Sequence, residues 1–340
     1  MHGLLREDYI LIENKRDASK LLNRGFGKPL RNGRVKLDLV EGAFLLERSK
    51  LAISDRDGEL DFQRLFDVSV DINPRFGHRY MVYRDLRKRG FKLECLSNGF
   101  DFTVSPRNGS REGFVYVRGE REEFSIESIR RLLRELKEDH EFWIGIVDEE
   151  ADITYYTVSY VHPEGNIRSS EPVKGRGFLI RNHVFVFDKE IALKLLREEF
   201  FGKPFGKGLQ LSLIEALYLK EKNILDIYYN SRSIDFKELV TIALNYQSDI
   251  ERRYVVYKEL KERGLSVKTG FKFGTHFRAY EKDPHHHHAE YLIDVVDRDY
   301  ISTWSLVSRG IRLAHSVKKL YTFAVIDKDI EYISFKRLRP

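Results

Sequence analysis

The chain repeats itself, and this duplication constrains its fold more than any other feature of its 340 residues. The segment LREDYILIENKRDASKLLNRGFGKP, which begins at Leu5, corresponds to IRNHVFVFDKEIALKLLREEFFGKP, which begins at Ile180. Each segment predicts an apolar strand, a polar turn, a short amphipathic helix and an FGKP exit. A repeat of this length predicts two similar domains, each with its own core.

Two further blocks extend the repeat. LDLVEGAFLL and LSLIEALYLK both predict a helix with a glutamate at the same place. HRYMVYRDLRKRGFKL matches RRYVVYKELKERGLSV without a gap, so that Tyr83 aligns with Tyr257 and Gly90 aligns with Gly264. Gly264 stands where a helix commonly ends on a left-handed residue.

The ends of the two copies also align, and a polar stretch separates them. EFWIGIVDEEADITYYTV and LYTFAVIDKDIEYISF both predict strand, acidic turn, strand. The intervening HPEGNIRSSEPVKGRG is rich in Gly, Pro and Ser, which favours a linker. We therefore predict one repeat over residues 1–162, a linker over 163–177 and a second repeat over 178–340. The predicted class is α+β, each repeat having a small helix-and-strand region followed by a mixed sheet.

Composition narrows the class of protein without deciding it. The net charge of +6 and pI of about 9.1 fit a polyanionic partner, although many basic proteins never bind nucleic acid. Cys95 is the single cysteine, which excludes an intramolecular disulfide and a thiolate zinc site and favours the reducing cytoplasm. The sequence has neither a signal-peptide core near its start nor an apolar run of about 18 residues, so no membrane span is predicted.

The copies differ where chemistry is possible. TGFKFGTHFRAYEKDPHHHHAEYLIDV in the second copy stands against SNGFDFTVSPRNGSREGFVYV in the first. Three reactive side chains of the second copy align with unrelated residues of the first. Placing Gly274 on Gly99 puts Tyr280 opposite Ser105. Placing Tyr291 on Phe114 puts His288 opposite Arg111, and placing Asp327 on Asp148 puts Lys319 opposite His140. This asymmetry predicts that the second copy keeps an active site and that the first serves as a scaffold.

Three blocks in order, KTGFKFGTHFRAYEK, HAEYLIDV and GIRLAHSVKKLYTFAVID, resemble the archaeal tRNA-intron endonucleases. The resemblance covers about Val184 to Arg337 and extends more faintly through the first copy. It is closest to the tandem form with one degenerate copy, which acts as a homodimer. It implies a nuclease-like sheet in each repeat and cleavage of precursor tRNA at bulge–helix–bulge splice sites.

The resemblance also implies a catalytic triad of tyrosine, histidine and lysine. The tyrosine ends the FR-x-Y strand and is Tyr280, and the lysine of the A-x-x-V-x-K segment is Lys319. The histidine opens the H-x-x-Y-L strand, which selects His288 from the run His285–His288 and leaves His287 as an alternative.

The implied reaction needs no metal and leaves a 2′,3′-cyclic phosphate and a 5′-hydroxyl. A histidine, whose ordinary pKa is about 6.5, is a suitable proton donor, so His288 would protonate the leaving 5′-oxygen. The ammonium of Lys319 would stabilise charge on the phosphorane. A phenol ordinarily titrates near about 10, so Tyr280 is either a general base activated by a nearby cation or a group that positions the 2′-hydroxyl. No small-molecule cofactor is implied.

Substrate and assembly residues follow from the same resemblance. Arg312 and Arg337 match the two arginines that sandwich a bulge base, and guanidinium planes stack well. An acidic loop that docks into a basic pocket of a partner unit matches Glu120, Glu122 and Glu123 in the first copy. A homodimer would carry two active sites, as two splice junctions require.

Three alternatives remain open from the sequence. Four adjacent histidines invite a metal site, but they cannot all face one ion, and a surface-exposed run is the simpler interpretation. A metal-dependent nuclease would need clustered carboxylates, for which we find no convincing set, so no metal is predicted. The third alternative is a non-catalytic RNA-binding or structural subunit, against which the retained Tyr280, His288 and Lys319 argue.

Overall fold

The structure, a computed structural model, describes residues 1–97, 99–105, 112–167 and 174–340. The chain divides into two compact units. Unit 1 comprises Met1–Ser159, Asp299–Arg309 and Phe335–Pro340, and unit 2 comprises Tyr160–Arg298 and Gly310–Ser334. Among the helices of these described ranges, none is long and apolar enough to cross a membrane.

The first region of unit 1 is a six-stranded sheet in the order β3-β4-β2-β1-β5-β6, with three helices. Its strands are β1 (His2–Leu5), β2 (Tyr9–Ile12), β3 (Lys28–Pro29), β4 (Val35–Asp38), β5 (Ala52–Ser54) and β6 (Glu59–Leu60). Its helices are α1 (Lys15–Asn23), α2 (Leu39–Glu47) and α3 (Phe62–Ile72). Side chains of α2 and α4 (Phe76–Lys88) bury an apolar core with strands β2, β4 and β5.

The second region of unit 1 orders its strands β12-β11-β9-β8-β7, with β9 and β11 parallel. These elements are β7 (Lys92–Cys95), β8 (Phe102–Ser105), β9 (Gly113–Gly119), β10 (Glu123–Ser125), α5 (Ile126–Glu135), β11 (Glu141–Val147) and β12 (Ile153–Val161).

Unit 2 begins with the same sheet order, β15-β16-β14-β13-β17-β18. The elements of this region are β13 (Gly175–Ile180), β14 (His183–Val186), α6 (Lys189–Arg197), β15 (Lys203–Phe205), β16 (Gly208–Ser212), α7 (Leu213–Glu221), β17 (Leu225–Tyr229), β18 (Arg232–Ile234) and α8 (Phe236–Leu244). Strand β13 thus begins inside the predicted linker 163–177, of which residues 168–173 lie outside the described chain.

The rest of the chain repeats the second region, with β19-β20-β21-β23-β24 as the strand order and β21 parallel to β23. The elements are α9 (Ile250–Glu262), β19 (Ser266–Thr269), β20 (Phe277–Tyr280), β21 (Tyr291–Asp297), β22 (Ile301–Thr303), α10 (Trp304–Ser316), β23 (Leu320–Ile326) and β24 (Ile330–Leu338). Strand β22 belongs to unit 1, where it pairs with β10. The predicted α+β class with an internal duplication is confirmed.

The repeated glutamate explains why the FGKP block and the next helix occur together. Glu41 accepts hydrogen bonds from Gly27 N and Asp38 N, both at 2.8 Å, and caps the start of α2. Glu215 does the same for α7, accepting from Gly202 N at 2.8 Å and from Ser212 N. One buried carboxylate therefore ties the glycine of FGKP to a helix N-terminus in each repeat.

The two buried carboxylates differ in their electrostatic surroundings. Burial opposes ionisation of Glu215, but Lys268, 3.4 Å away, and the hydrogen bonds together lower its pKa. Strands β7 and β8 of the first repeat pair in the same register as β19 and β20 of the second. In this register, the residue of the first repeat that corresponds to Lys268 is Glu94, which is an acid. Burial then dominates at Glu41 and raises its pKa to about 7.

Helix α10 ends on a strained residue. Lys318 has φ 56°, and it donates to His315 O while Lys319 donates to Ala314 O, the hydrogen-bond pattern of a Schellman cap. Helices α1, α4 and α9 have glycine at the equivalent left-handed position: Gly25, Gly90 and Gly264. A side chain in this conformation costs about 1–2 kcal/mol, so Lys318 stores strain beside Lys319.

We expect Glu41 to make folding dependent on pH. Its pKa rises from 4.5 to about 7, so the folded state binds the proton more tightly. That stabilisation is complete below pH 4.5 and is lost as pH rises through about 7, a change of about 3 kcal/mol. Urea unfolding between these limits should show the decline in wild type and in a Glu59→Gln control, and Glu41→Gln should remove it. An equal decline in Glu41→Gln would contradict the assignment.

We also expect Lys318→Gly to raise the free energy of unfolding by about 1 kcal/mol, because glycine adopts the left-handed conformation without steric cost. The matched control is Gly25→Ala, at φ 70°, where an added carbon would have no neighbour nearer than 3.7 Å. That control should lose about 1 kcal/mol in urea unfolding, from backbone strain alone. Destabilisation by Lys318→Gly would show that the strain is absent.

Candidate active site

Three neighbouring strands of unit 2 bring the candidate residues to one edge of the sheet. Ala279 pairs with Tyr291, which pairs with Leu320. One step further along this row stand Tyr280 at the end of β20, Glu290 just before β21 and Lys319 just before β23. The row is held by hydrogen bonds from Glu290 N to Ala279 O and from Leu320 N to Glu290 O, at 3.1 and 2.9 Å. Neighbouring strands lie about 4.8 Å apart, and residues opposite each other share a face.

The side chain of Tyr280 is 8% exposed, and that of Arg278 lies beside it. The guanidinium carbon of Arg278 is 5.7 Å from the Tyr280 ring centroid. Both residues point to the same face because strand side chains alternate with a period of two. A cation therefore accompanies the candidate tyrosine.

Lys319 is half-buried, with Nζ 3.2 Å from Val317 O and 5.9 Å from the Phe273 ring centroid. Burial lowers the pKa of Lys319, Arg278 lowers it further, and Glu290 opposes both. The net effect is a pKa below that of an ordinary lysine. Lys319, Arg278 and Glu290 thus form one electrostatic group on this face of the sheet.

The four histidines occupy a turn that leads into this row. The ring of His285 lies 5.5 Å from that of Phe200, and His286 Nε2 lies 3.9 Å from a carboxylate oxygen of Asp283. His288 is exposed and lies two residues before Glu290 in the row. Within the described ranges, no three His, Cys, Asp or Glu side chains are grouped so that they could hold a metal.

The segment after β12 braces the end of β20. Gly165 N donates to Arg263 O, Asn166 N to Glu281 O and Ile167 N to Gly264 O, each at 2.9 Å. A side-chain carbon on Gly165 would overlap the carbonyl oxygen of Gly264. These three hydrogen bonds, called the linker clamp below, fix the backbone at the residue that follows Tyr280.

Unit 1 has the same row without the same side chains. Val104 pairs with Gly113, which pairs with Glu141, and the next step carries Ser105, Glu112 and His140. Ser105 and His140 therefore correspond to Tyr280 and Lys319, as the sequence alignment predicts. His140 Nε2 lies 3.7 Å from a Glu112 carboxylate oxygen.

One alignment step was wrong. Tyr291 corresponds to Gly113 and not to Phe114, because Tyr291 pairs with Ala279 as Gly113 pairs with Val104. The alignment assumed a segment before β9 that was one residue too long. The residue placed opposite His288, Arg111, lies outside the described part of the chain.

Sequence reasoning missed Arg278 and Glu290. Strand alternation in FRAY puts Arg278 on the face of Tyr280 and was available as a signal. Glu290 carried no comparable signal, since its place between Tyr280 and Lys319 depends on how three strands pair.

The remaining predicted residues occupy exposed or edge positions. Arg312 is exposed on α10 in unit 2, and Arg337 is exposed on β24 in the part of the chain assigned to unit 1. The two arginines therefore belong to different units, and their role in binding a bulged base stays a prediction.

The predicted acidic loop turns between β9 and β10 in unit 1. Glu122 is held internally, accepting from Gly119 N at 2.8 Å and lying 3.2 Å from His78 Nδ1. Glu120 O accepts from Ser305 N at 2.8 Å, and Glu123 is exposed in the pairing of β10 with β22. The carboxylate of Glu122 is thus committed within unit 1.

The family comparisons follow the two repeats. A family model described as tRNA intron endonuclease, catalytic C-terminal domain, matches residues 76–155 and again 250–332. A second, described as tRNA intron endonuclease, N-terminal domain, matches residues 1–66 and 175–240. Both rows described above fall within matches to the catalytic-domain model or its immediate edges.

Relatives match along their whole length. The tRNA-splicing endonuclease of Methanosarcina barkeri is 35% identical over 100% of both chains, and that of Methanococcoides burtonii is 34% identical over 100% of both. The tRNA-splicing endonuclease of Haloferax volcanii is 31% identical over 94% of both chains. The chain described here belongs to the tRNA intron endonuclease family.

Proposed function

We propose that this chain cuts precursor tRNA at bulge–helix–bulge splice sites by metal-independent transesterification, leaving 2′,3′-cyclic phosphate and 5′-hydroxyl ends. The observation that carries the proposal is the strand row that ends in Tyr280, Glu290 and Lys319, with His288 leading into it. The row lies in the copy whose reactive side chains are retained, and the named relatives are tRNA-splicing endonucleases.

In the proposed reaction, Tyr280 acts as the general base that accepts the proton of the 2′-hydroxyl, the alternative being that it only positions this hydroxyl. The 2′-oxygen attacks the adjacent phosphorus, and the bond from phosphorus to the 5′-oxygen breaks. His288 gives a proton to that departing oxygen, so that the two protons balance. The ammonium of Lys319 stabilises the added negative charge of the pentacoordinate phosphorus.

Glu290 and Arg278 support this chemistry without being assigned a proton transfer. Lys319 must be protonated to stabilise the phosphorane, yet burial and Arg278 lower its pKa. Glu290 raises that pKa and so favours the charged form of Lys319. We therefore assign Glu290 a positioning role through Lys319.

We infer that residues 1–162 act as scaffold, 163–177 as linker and 178–340 as the catalytic repeat, in the cytoplasm. Two chains would form a homodimer, with Glu120 and Glu123 the better placed members of the acidic loop to reach a partner because Glu122 is bound internally. A monomer mass by light scattering would overturn the dimer.

Recognition of the substrate would involve Arg312 and Arg337, whose guanidinium planes are suited to stacking on a bulged base. Both are exposed, which supports contact with RNA. Undiminished affinity of Arg312→Ala for bulged RNA would contradict this assignment.

The first test is cleavage of a bulge–helix–bulge RNA in excess EDTA. Wild type should cut both strands and leave cyclic phosphate ends, and His288→Ala should lose about 10²–10⁴-fold in rate, as removal of a general acid does. His287→Ala is the matched control from the same turn and should stay near the wild-type rate.

Each other outcome has a defined meaning. Loss of wild-type cleavage in EDTA would replace the proposed mechanism with a metal-dependent one. A large loss in His287→Ala with none in His288→Ala would move the acid by one residue. Binding of the RNA without any cleavage would indicate a non-catalytic subunit.

The second test concerns the pH dependence of the same reaction. Removing the Glu290 charge lowers the pKa of Lys319, so the alkaline fall in kcat/KM should move to lower pH in Glu290→Gln. Glu251→Gln, an exposed control on α9, should leave the profile unchanged. A uniform loss of rate at every pH would instead indicate that Glu290 only holds the fold together.

A further inference from the structure

The outward face of the first sheet of unit 2 carries aromatic rings in register. Tyr228 pairs with Phe178 on the parallel neighbour, and Phe178 pairs with Phe185 on the antiparallel one. These rings stand side by side on three adjacent strands, with 5.9 Å and 32° between the Tyr228 and Phe178 rings. The other face of the same strands is core, where Val184 and Val186 are fully buried.

Two more rings widen this surface, which we call the aromatic face: Phe178, Phe185, Phe187, Phe205 and Tyr228. The Phe187 ring lies 5.7 Å from Phe178 and 6.3 Å from Phe185, nearly parallel to the latter at 11°. Phe205 lies 4.8 Å from Phe185. Phe187 is 55% exposed and Phe205 is 51% exposed, so these rings face solvent. An exposed group of large apolar side chains often marks a binding surface.

Basic side chains border the aromatic face. The guanidinium of Arg176 lies 5.7 Å from the Tyr228 ring centroid. Lys203 occupies the same cross-strand row, since it pairs with Gln210 and Gln210 pairs with Phe185. Lys207, in the turn after Phe205, is exposed as well.

The nearby carboxylates are already engaged. Asp226 forms an ion pair with Lys220 at 3.2 Å. Asp188 caps α6, accepting from Glu190 N and Ile191 N at 3.0 Å. Asp226 is also the cross-strand neighbour of Arg176, so the cations left to meet a ligand at this border are Lys203 and Lys207 together with the part of Arg176 that lies over Tyr228.

The corresponding face of unit 1 lacks this character. By strand pairing, Leu4 and Leu11 occupy the positions of Phe178 and Phe185, and Ser54 occupies that of Tyr228. The residue before the α1 cap is Glu13, where unit 2 has Phe187 before the α6 cap. The rings are thus a property of one repeat and not a requirement of the sheet.

We propose that the aromatic face binds single-stranded RNA, with bases stacked on the rings and phosphates paired with Arg176 and Lys203. Sheet-borne aromatic side chains stack on unpaired bases in RNA-binding domains, and a surrounding basic rim follows the backbone. A nucleic-acid partner is favoured over a protein because lysine is depleted at protein interfaces, whereas Lys203 lies in the same row as the rings and would pair with a phosphate. This site is separate from the row that ends in Tyr280 and does not require cleavage.

The test is fluorescence anisotropy of the full chain with a labelled strand of about ten 2′-O-methyl uridines, which lacks the 2′-hydroxyl that cleavage needs. The double variant Phe187→Ala with Phe205→Ala should bind about 10–100-fold more weakly, and Lys203→Ala should reduce the salt dependence. Tyr246→Ala removes an equally exposed ring, 55%, elsewhere in unit 2 and should bind as wild type does.

Two results would overturn the inference. One is equal affinity of the double variant and wild type, with an unchanged circular dichroism spectrum to show that the variant folds. The other is no binding of the probe by wild type; loss of self-association in the double variant by light scattering would then show that the aromatic face is a protein interface. Because the probe is uncuttable, either result leaves the proposed cleavage to be judged by the His288→Ala assay alone.

Discussion

The parallel pairing of β21 with β23 decides where the candidate catalytic side chains lie. Parallel strands enter a sheet at the same edge, so Glu290 and Lys319, each one residue before its strand, are neighbours. Strand β20 runs the other way and leaves at that edge, which adds Tyr280 to the row. A shift of one residue in any of these pairings would turn the set to the opposite face of the sheet.

The same pairing without the same residues occurs in unit 1. Its row presents Ser105, Glu112 and His140 from an equivalent set of strands, so the frame occurs without the reactive groups. The carboxylate is kept in both rows while its nitrogen-bearing neighbour changes from lysine to histidine. Fold and chemistry are therefore separable here, and the chemistry resides in side chains placed on a frame that is used twice.

The sequence alone predicted the duplication, the α+β class and the correspondence of Tyr280 with Ser105 and Lys319 with His140. These follow from local patterns that survive in both copies. The neighbour of Lys319 could not be predicted, since Glu290 reaches it through long-range strand pairing. The strand at Tyr291 was misaligned by one residue for the same reason, because loop length hides register until the strands pair.

The aromatic face shows another limit of pattern. HVFVF alternates with the period of a strand, but alternation does not tell which set of side chains is buried. Only the sheet, which buries the valines, reveals that the phenylalanines face outward. The phenylalanines at alternate positions therefore form a candidate binding surface, although the sequence pattern is equally compatible with a strand whose two faces are both buried.

The linker clamp has a consequence for how such a chain could be divided. Residues 162–167 begin the polar stretch, and Gly165 and Ile167 donate hydrogen bonds to the end of helix α9 while Asn166 donates to Glu281, just after β20. A gene split within that stretch would give a first polypeptide whose tail completes the second. Besides the pairing of β10 with β22, the two pieces would share the three backbone hydrogen bonds of the linker clamp and the close approach of Gly165 to Gly264, which leaves no room for a side chain. The segment that joins the repeats would then become an intermolecular contact, so that the cut chain keeps a means of reassembly.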